Sequence, residues 1–323
     1  MIKIELLPDC KVASGTVRLV VAALALTFAL QTTASAWGPA GHQIINGLAA
    51  DALPDGPLRT LLEAHRPYLV AHSTDPDQWR DLSTEEGYHH YLDMDKYGPA
   101  PFLDLPRSRW EAERKYGTET VLKNGIVPWM VGDWFNRCVE DMRANRTSRV
   151  LMDSAILGHY AADSHVPFHA VMNYDGQLTD QKGIHARFET MLVNQYVKPG
   201  ELKPGAVRYL DDPVAADMGW LVESATLAPE ILAADKTIHA QHADYDTPAY
   251  RDAFWTAVGP TVTGRLEQGS GDLASLWWSA WIAAGKPALD APVQEITDTA
   301  TEAHIPHDRP PRPAAPSAGK PVP

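Results

Sequence analysis

Leu157-Gly158-His159-Tyr160-Ala161-Ala162-Asp163-Ser164-His165-Val166-Pro167-Phe168-His169 is the stretch on which the reading of this chain turns. His159 and Asp163 stand four apart in an apolar helical pattern, so they share one helix face and form a two-donor arm. Pro167 lacks a backbone N–H and ends a helix near that point, which lets the chain turn and bring His169 back from another direction. One such histidine alone is more often a core or surface residue. A cluster of imidazoles and carboxylates at these spacings gives a metal reading its weight.

Toward the C-terminus, Gly183-Ile184-His185-Ala186-Arg187-Phe188-Glu189 repeats the four-residue spacing with His185 and Glu189. By itself this segment reads as a solvated charged face, but two arms this close in sequence strengthen each other. Toward the N-terminus, Tyr88-His89-His90-Tyr91-Leu92-Asp93 and Ser73-Thr74-Asp75-Pro76-Asp77-Gln78-Trp79 offer further donors from segments read as loops. An aspartate beside proline is by itself usually a turn residue, so Asp75 and Asp77 count only once the other donors are counted.

Further upstream, Lys3, Lys11 and Arg18 precede an apolar run from Leu19 to Leu30, and Ala34-Ser35-Ala36 forms an A-x-A site. This pattern predicts a secretory signal peptide over residues 1–36, cleaved after Ala36. The run is shorter than the ~20 residues of a spanning helix, and no later segment reads as transmembrane. Cleavage frees an α-amino group on Trp37. In Trp37-Gly38-Pro39-Ala40-Gly41-His42 that amine and its carbonyl become potential metal donors beside His42. The protein is accordingly expected to be secreted or periplasmic.

The rest of the chain sets the architecture. With 323 residues, 45% of them hydrophobic, it can bury a substantial core. Apolar residues recur at three- and four-residue spacing, which predicts an all-α domain with helices over 41–52, 58–70, 119–145, 148–164, 184–197, 215–234 and 249–284, the last with a possible break at Gly269-Ser270-Gly271. From His304 the chain is proline-rich and aperiodic, so residues 304–323 read as a disordered tail behind a catalytic domain at 37–303. Of the two cysteines, Cys10 leaves with the signal and Cys138 remains as a single thiol, which excludes an internal disulfide in the mature chain. The net charge of −13 argues against a broad electrostatic grip on nucleic acid.

Taken together, these motifs resemble the superfamily that joins bacterial zinc-dependent phospholipases C with fungal single-strand-specific nucleases of the S-one and P-one type. The likeness runs from Trp37 to Trp281. It implies a single helical domain of that type with a trinuclear zinc cleft. By the resemblance, one zinc takes Asp77, His90, His159 and Asp163, with Asp163 bridging to a second ion completed by His42 and the amine and carbonyl of Trp37. The third takes His169, His185 and Glu189. Asp77 fits the pattern better than Asp75, the reserve candidate, and His90 better than His89. His165 falls off the ligand positions and reads as a surface or supporting residue.

A paired-metal site of this kind activates water for in-line attack on phosphorus, with Asp163 and Asp77 as the acidic residues of the chemistry. The substrate class implied is a phosphodiester, either phospholipid or single-stranded nucleic acid, and no stable protein partner is implied. Glu189 favours the phospholipase branch, which ends this arm in glutamate. The Trp37-to-His42 spacing favours the nucleases. Trp79, Tyr88, Tyr91 and Phe168 read mainly as core, with pocket lining as the alternative. A non-catalytic zinc-binding module is the reading of another class, separated from an enzyme by whether the metal keeps a position open for substrate.

Overall fold

Helix α8 (Thr147–Asp163) is the axis of the structure, buried along most of its length, and the other elements are arranged around it. In the computed structural model, residues 37–102 and 104–308 are described. The signal peptide expected over 1–36 and the tail beyond Asp308 lie outside them.

In chain order come α1 (Pro39–Ala52), α2 (Pro57–Ala64), α3 (Arg66–His72) and α4 (Asp75–Trp79), followed by 3-10 turns at Glu86–His90 and Met94–Tyr97. Then come α5 (Arg109–Tyr116), α6 (Thr118–Lys123), α7 (Val127–Arg143) and α8, with a further 3-10 turn at Pro167–His169. The second arm is a composite of α9 (Ile184–Ala186), a π-helical turn (Arg187–Met191) and α10 (Leu192–Tyr196). Two long helices, α11 (Pro213–Gln241) and α12 (Pro248–Ala283), precede the short α13 (Thr299–Ala303). No strand occurs among the described residues, so the protein is all-α, as the periodicity predicts.

Local chemistry explains the boundaries. Asp212 and Thr247 cap α11 and α12 through side-chain oxygens that accept from the backbone N–H of Ala215 and Tyr250, and a proline follows each cap at the first helical position. The helix expected over 58–70 is divided at His65, because Pro67 has no N–H to continue the ladder and starts a new helix instead. That over 119–145 is divided at Gly125, whose φ of +91° suits glycine. A Cβ there would lie 2.1 Å from the Tyr91 carbonyl oxygen.

At Gly269-Ser270-Gly271 the chain stays helical. Those glycines admit neighbours: a Cβ on Gly271 would lie 2.4 Å from the Gly205 carbonyl carbon, and one on Gly269 would lie 3.2 Å from Ile45 Cδ1. The 203–210 segment therefore lies against α12, where Gly205 N–H donates to Glu267 O (2.8 Å) and Leu210 N–H to Ser279 Oγ (2.9 Å). Past α12 the chain returns along α3, α4 and α8. There Tyr68 Oη donates to Ile296 O (2.7 Å), Thr299 Oγ1 to Asp75 Oδ2 (2.5 Å), and Thr84 N–H to Asp308 Oδ1 (2.7 Å). The proline-rich stretch expected from His304 thus begins in contact with the turn after α4.

Candidate metal centre

Close packing of α1 on α8 creates the centre. A Cβ on Gly158 would lie 2.2 Å from Asn46 Oδ1, so glycine there lets the Asn46 side chain keep its place against α8. Asn46 Nδ2 also donates to His42 O (3.1 Å), tying its side chain to its own helix. The approach stacks His42 on His159, with ring centroids 4.0 Å apart and planes 9° from parallel, and sets His42 Nε2 3.5 Å from Asp163 Oδ1.

The break at Gly125 delivers His90. Ile126 N–H donates to Tyr88 O (2.9 Å) and Leu92 N–H to His169 O (2.9 Å), which pins the 88–92 segment between α7 and the end of α8. His90 Nδ1 then lies 3.0 Å from Asp163 Oδ2 and 2.9 Å from His159 Nε2. Asp77, on the one-turn α4, stands 3.9 Å from the same nitrogen. In the second arm His185 Nε2 is 2.8 Å from Glu189 Oε2, and His169 Nε2 is 3.8 Å from that oxygen. His169 Nδ1 is 3.9 Å from Asp163 Oδ1, so the two clusters adjoin.

Three groups of donor atoms come within 4.8 Å of one another: His42, Asp77 and His159; His90, His159 and Asp163; and His169, His185 and Glu189. The structure thus brings together every side-chain donor expected from the sequence. Trp37 is fully buried at the head of α1 and packs on Phe188, the neighbour of Glu189, with centroids 6.1 Å apart. Asp75 is outside the three groups, since its Oδ2 is engaged by His72 Nδ1 (2.7 Å) and Thr299 Oγ1. His89 is held by Glu86 (3.0 Å). His165 is not a surface residue: it is buried, with Nδ1 on Ala161 O (2.8 Å) and Nε2 on Asp272 Oδ2 (3.1 Å). Trp79 and Phe168 are core residues packed on Trp134 and Phe188.

The residues fit a divalent metal. Both ring nitrogens of His42, His185 Nδ1 and Asp163 Oδ1 are buried without a hydrogen-bond partner, and His185 Nε2 and Glu189 Oε2, 2.8 Å apart, meet as an ion pair out of hydrogen-bond alignment. Leaving that many polar atoms unbonded is costly unless a cation coordinates them. Protonation follows the same logic. Burial pushes Asp163 well above the usual carboxylate range and Glu189 up to about 7. Burial also lowers His42 and His169, and takes His159 down to about 4. His90 differs: burial opposes its charge, but Asp163, Glu86 and Asp77 outweigh that and lift it to about 9. A buried cluster of this kind holds protons that a metal replaces, because ligands must be deprotonated to bind.

Several supporting residues carry no motif of their own. Ser73 O and His90 O lie 2.7 and 2.6 Å from the Nδ1 atoms of His159 and His169, leaving Nε2 of each toward the clusters. Buried Glu86 approaches His90 Nε2 (3.4 Å) and accepts from Tyr160 Oη (2.5 Å), leaving His90 Nδ1 for the centre. Arg80 Nη1 stands 3.6 Å from Asp77 Oδ1, and its charge is felt by His169 and Glu189. The spacings Glu86 to His90 and Asp77 to Arg80 are one helical turn, and in sequence nothing sets them apart from ordinary surface pairs.

A family model described as zinc dependent phospholipase C matches residues 41–225. A probable serine protease of Bradyrhizobium tropiciagri is 24% identical over 206 residues, which are 55% of this chain and 26% of that protein. The chain thus spans about a quarter of that relative's length. Among solved structures, an alpha toxin from Clostridium absonum is similar with a TM-score of 0.42 and 14% identity, over 79% of this chain and 66% of the toxin chain. No helix among the described residues is long and apolar enough to cross a membrane. The family match covers more than half of the sequence and includes every side-chain donor of the three groups, so the chain belongs to the zinc-dependent phospholipase C family.

Proposed function

We propose that this chain is a secreted or periplasmic phospholipase C-like enzyme working with three zinc ions. Asp77, His90, His159 and Asp163 hold one, and Asp163, His42 and the amine and carbonyl of an N-terminal Trp37 hold the second. His169, His185 and Glu189 hold the third. The observation that carries this reading is the set of buried donor atoms on His42, Asp163, His185 and Glu189 that make no aligned hydrogen bond and that a cation would satisfy together.

Bound zinc supplies Lewis acidity and brings the pKa of water toward neutrality. The protein's own residues do the rest. Asp163 presents one oxygen toward His90 and the other toward His42, which suits it to bridge. Asp77 retains a side-chain exposure of 14% where Asp163 has none, and it is the acid suited to take a proton from the attacking water. Beside it, Arg80 supplies a positive charge, 3.6 Å from Asp77 Oδ1, that would favour an anionic phosphate.

The test is to express the full chain, read the N-terminal residue of the released protein, and compare hydrolysis of phosphatidylcholine with that of single-stranded DNA. Asp163→Asn serves as the control. Lipid turnover that the variant loses is the expected result; cleavage of DNA alone would move the chain to the nuclease reading favoured by the Trp37-to-His42 spacing. Inactivity toward both, with zinc bound, would leave the non-catalytic module.

A further inference from the structure

Arg187 lies midway between His185 and Glu189, yet its guanidinium is committed elsewhere. It donates to Gln181 O (3.1 Å), Lys182 O (2.9 Å) and Tyr250 Oη (3.2 Å), pairs with Asp235 (3.2 Å), and stacks over the Tyr245 ring at 3.7 Å. Asp235, fully buried on α11, also accepts from Tyr250 Oη and from Gln181 Nε2 (2.7 Å). A buried carboxylate is thereby satisfied by a guanidinium, a phenol and an amide drawn from three separate elements. The residue it anchors opens the π-helical turn Arg187–Met191, a wide geometry rarely kept in proteins and enriched at functional sites.

We infer that the Arg187–Asp235–Tyr250 cluster is the positioning device of one metal site, holding the π-turn in the register that lets His185 and Glu189 converge. This rests on the metal reading above and adds residues beyond the ligand set, two of them on α11 and α12 past the family match at 41–225. Among the described residues nothing comparable ties His90 or His159 to Asp235. The ion at His169, His185 and Glu189 relies on the cluster directly, the ion shared with Trp37 only through the packing of Trp37 on Phe188 of the same turn, and the ion at Asp77, His90 and His159 does not.

Zinc titration of metal-free Asp235→Asn, and of the milder Tyr250→Phe, tests this against wild type. The readouts are equivalents bound, the affinity of each, and the cobalt-substituted absorption spectrum. The expected result is one equivalent weakened up to ~10-fold in Asp235→Asn, the low end of what losing a ligand's direct outer partner costs, because Asp235 acts through Arg187. Tyr250→Phe should show a smaller loss at the same equivalent, with the remaining cobalt bands unchanged. Wild-type affinity at every equivalent, or equal weakening of all of them, would overturn the inference, the latter marking a general loosening. His185→Ala is the reference: if it leaves zinc stoichiometry unchanged, the metal reading itself fails and takes the inference with it.

Discussion

Replacing Glu86 by glutamine keeps the shape of the side chain and removes its charge. Glu86 is 1% exposed, and burial alone would favour its protonated form, yet its contacts with His89 and His90 hold it well below the usual carboxylate range. It therefore stays ionised beside His90, 3.4 Å from Nε2. Loss of such an outer carboxylate typically costs ~10–100-fold in metal affinity, or about 1.4–2.7 kcal/mol, at the site the histidine serves. The metal-free fold also loses a charge-assisted contact worth ~1.5–3 kcal/mol. The sign with pH follows from the depressed folded pKa. Stability from Glu86 is present above the unfolded value near ~4.3 and is lost as pH falls through the folded one, so the gap between wild type and variant closes in acid. Competition against a chromophoric chelator at neutral pH, with thermal melts of both metal-free proteins down the pH scale, reads both effects. Wild-type zinc affinity in Glu86→Gln, or a stability gap that widens in acid, would refute the reasoning.

Asp163→Asn should abolish turnover and weaken more than one zinc equivalent, because its two oxygens serve different neighbours; equilibrium dialysis with metal analysis checks this. Glu189, raised to about 7 by burial, should bind a proton in the metal-free fold between ~4.3 and 7, so that fold loses stability as pH rises through this window. Zinc affinity at its cluster should fall ~tenfold per pH unit below 7, measured as proton release by calorimetry in buffers of different ionisation enthalpy. Gly158→Ala should lower stability by ~1–3 kcal/mol in denaturant unfolding, since its Cβ would meet Asn46 Oδ1 at 2.2 Å and force α1 off α8. Arg80→Ala should cut turnover while leaving zinc stoichiometry intact, a separation that metal analysis beside the lipid assay would reveal.

The helical class was legible because three- and four-residue periodicity reports directly on which face a helix buries. Boundaries were legible where the signal is local, as at Pro167. They were not legible at Gly269-Ser270-Gly271, where a glycine pair resembles a breaker. The reason those glycines are there, the backbone of Gly205 and the side chain of Ile45 coming into contact, belongs to residues far away in sequence. Gly125 is the reverse case. It ends a helix that periodicity alone would run through, because the Tyr91 carbonyl has to pass, and that passage brings His90 to the centre.

A similar division holds at the metal site. Its donors were legible because an imidazole and a carboxylate four apart on a helix form an uncommon pair, and two such pairs with a returning histidine are rarer still. Their supports were not. Ser73 and His90 act through backbone oxygens, which any residue supplies, and Asp235 reaches the arm from a helix whose sequence carries no motif that marks it. Asp75 makes the point in one residue. In sequence it is the reserve to Asp77, two positions away on the same turn, and only the resemblance ranks them. What separates them is that His72 and, more than two hundred residues later, the Thr299 hydroxyl engage Asp75, while Asp77 lies with His42 and His159. One of the two contacts that hold Asp75 away is therefore made by α13 folding back on α4, which no local pattern encodes.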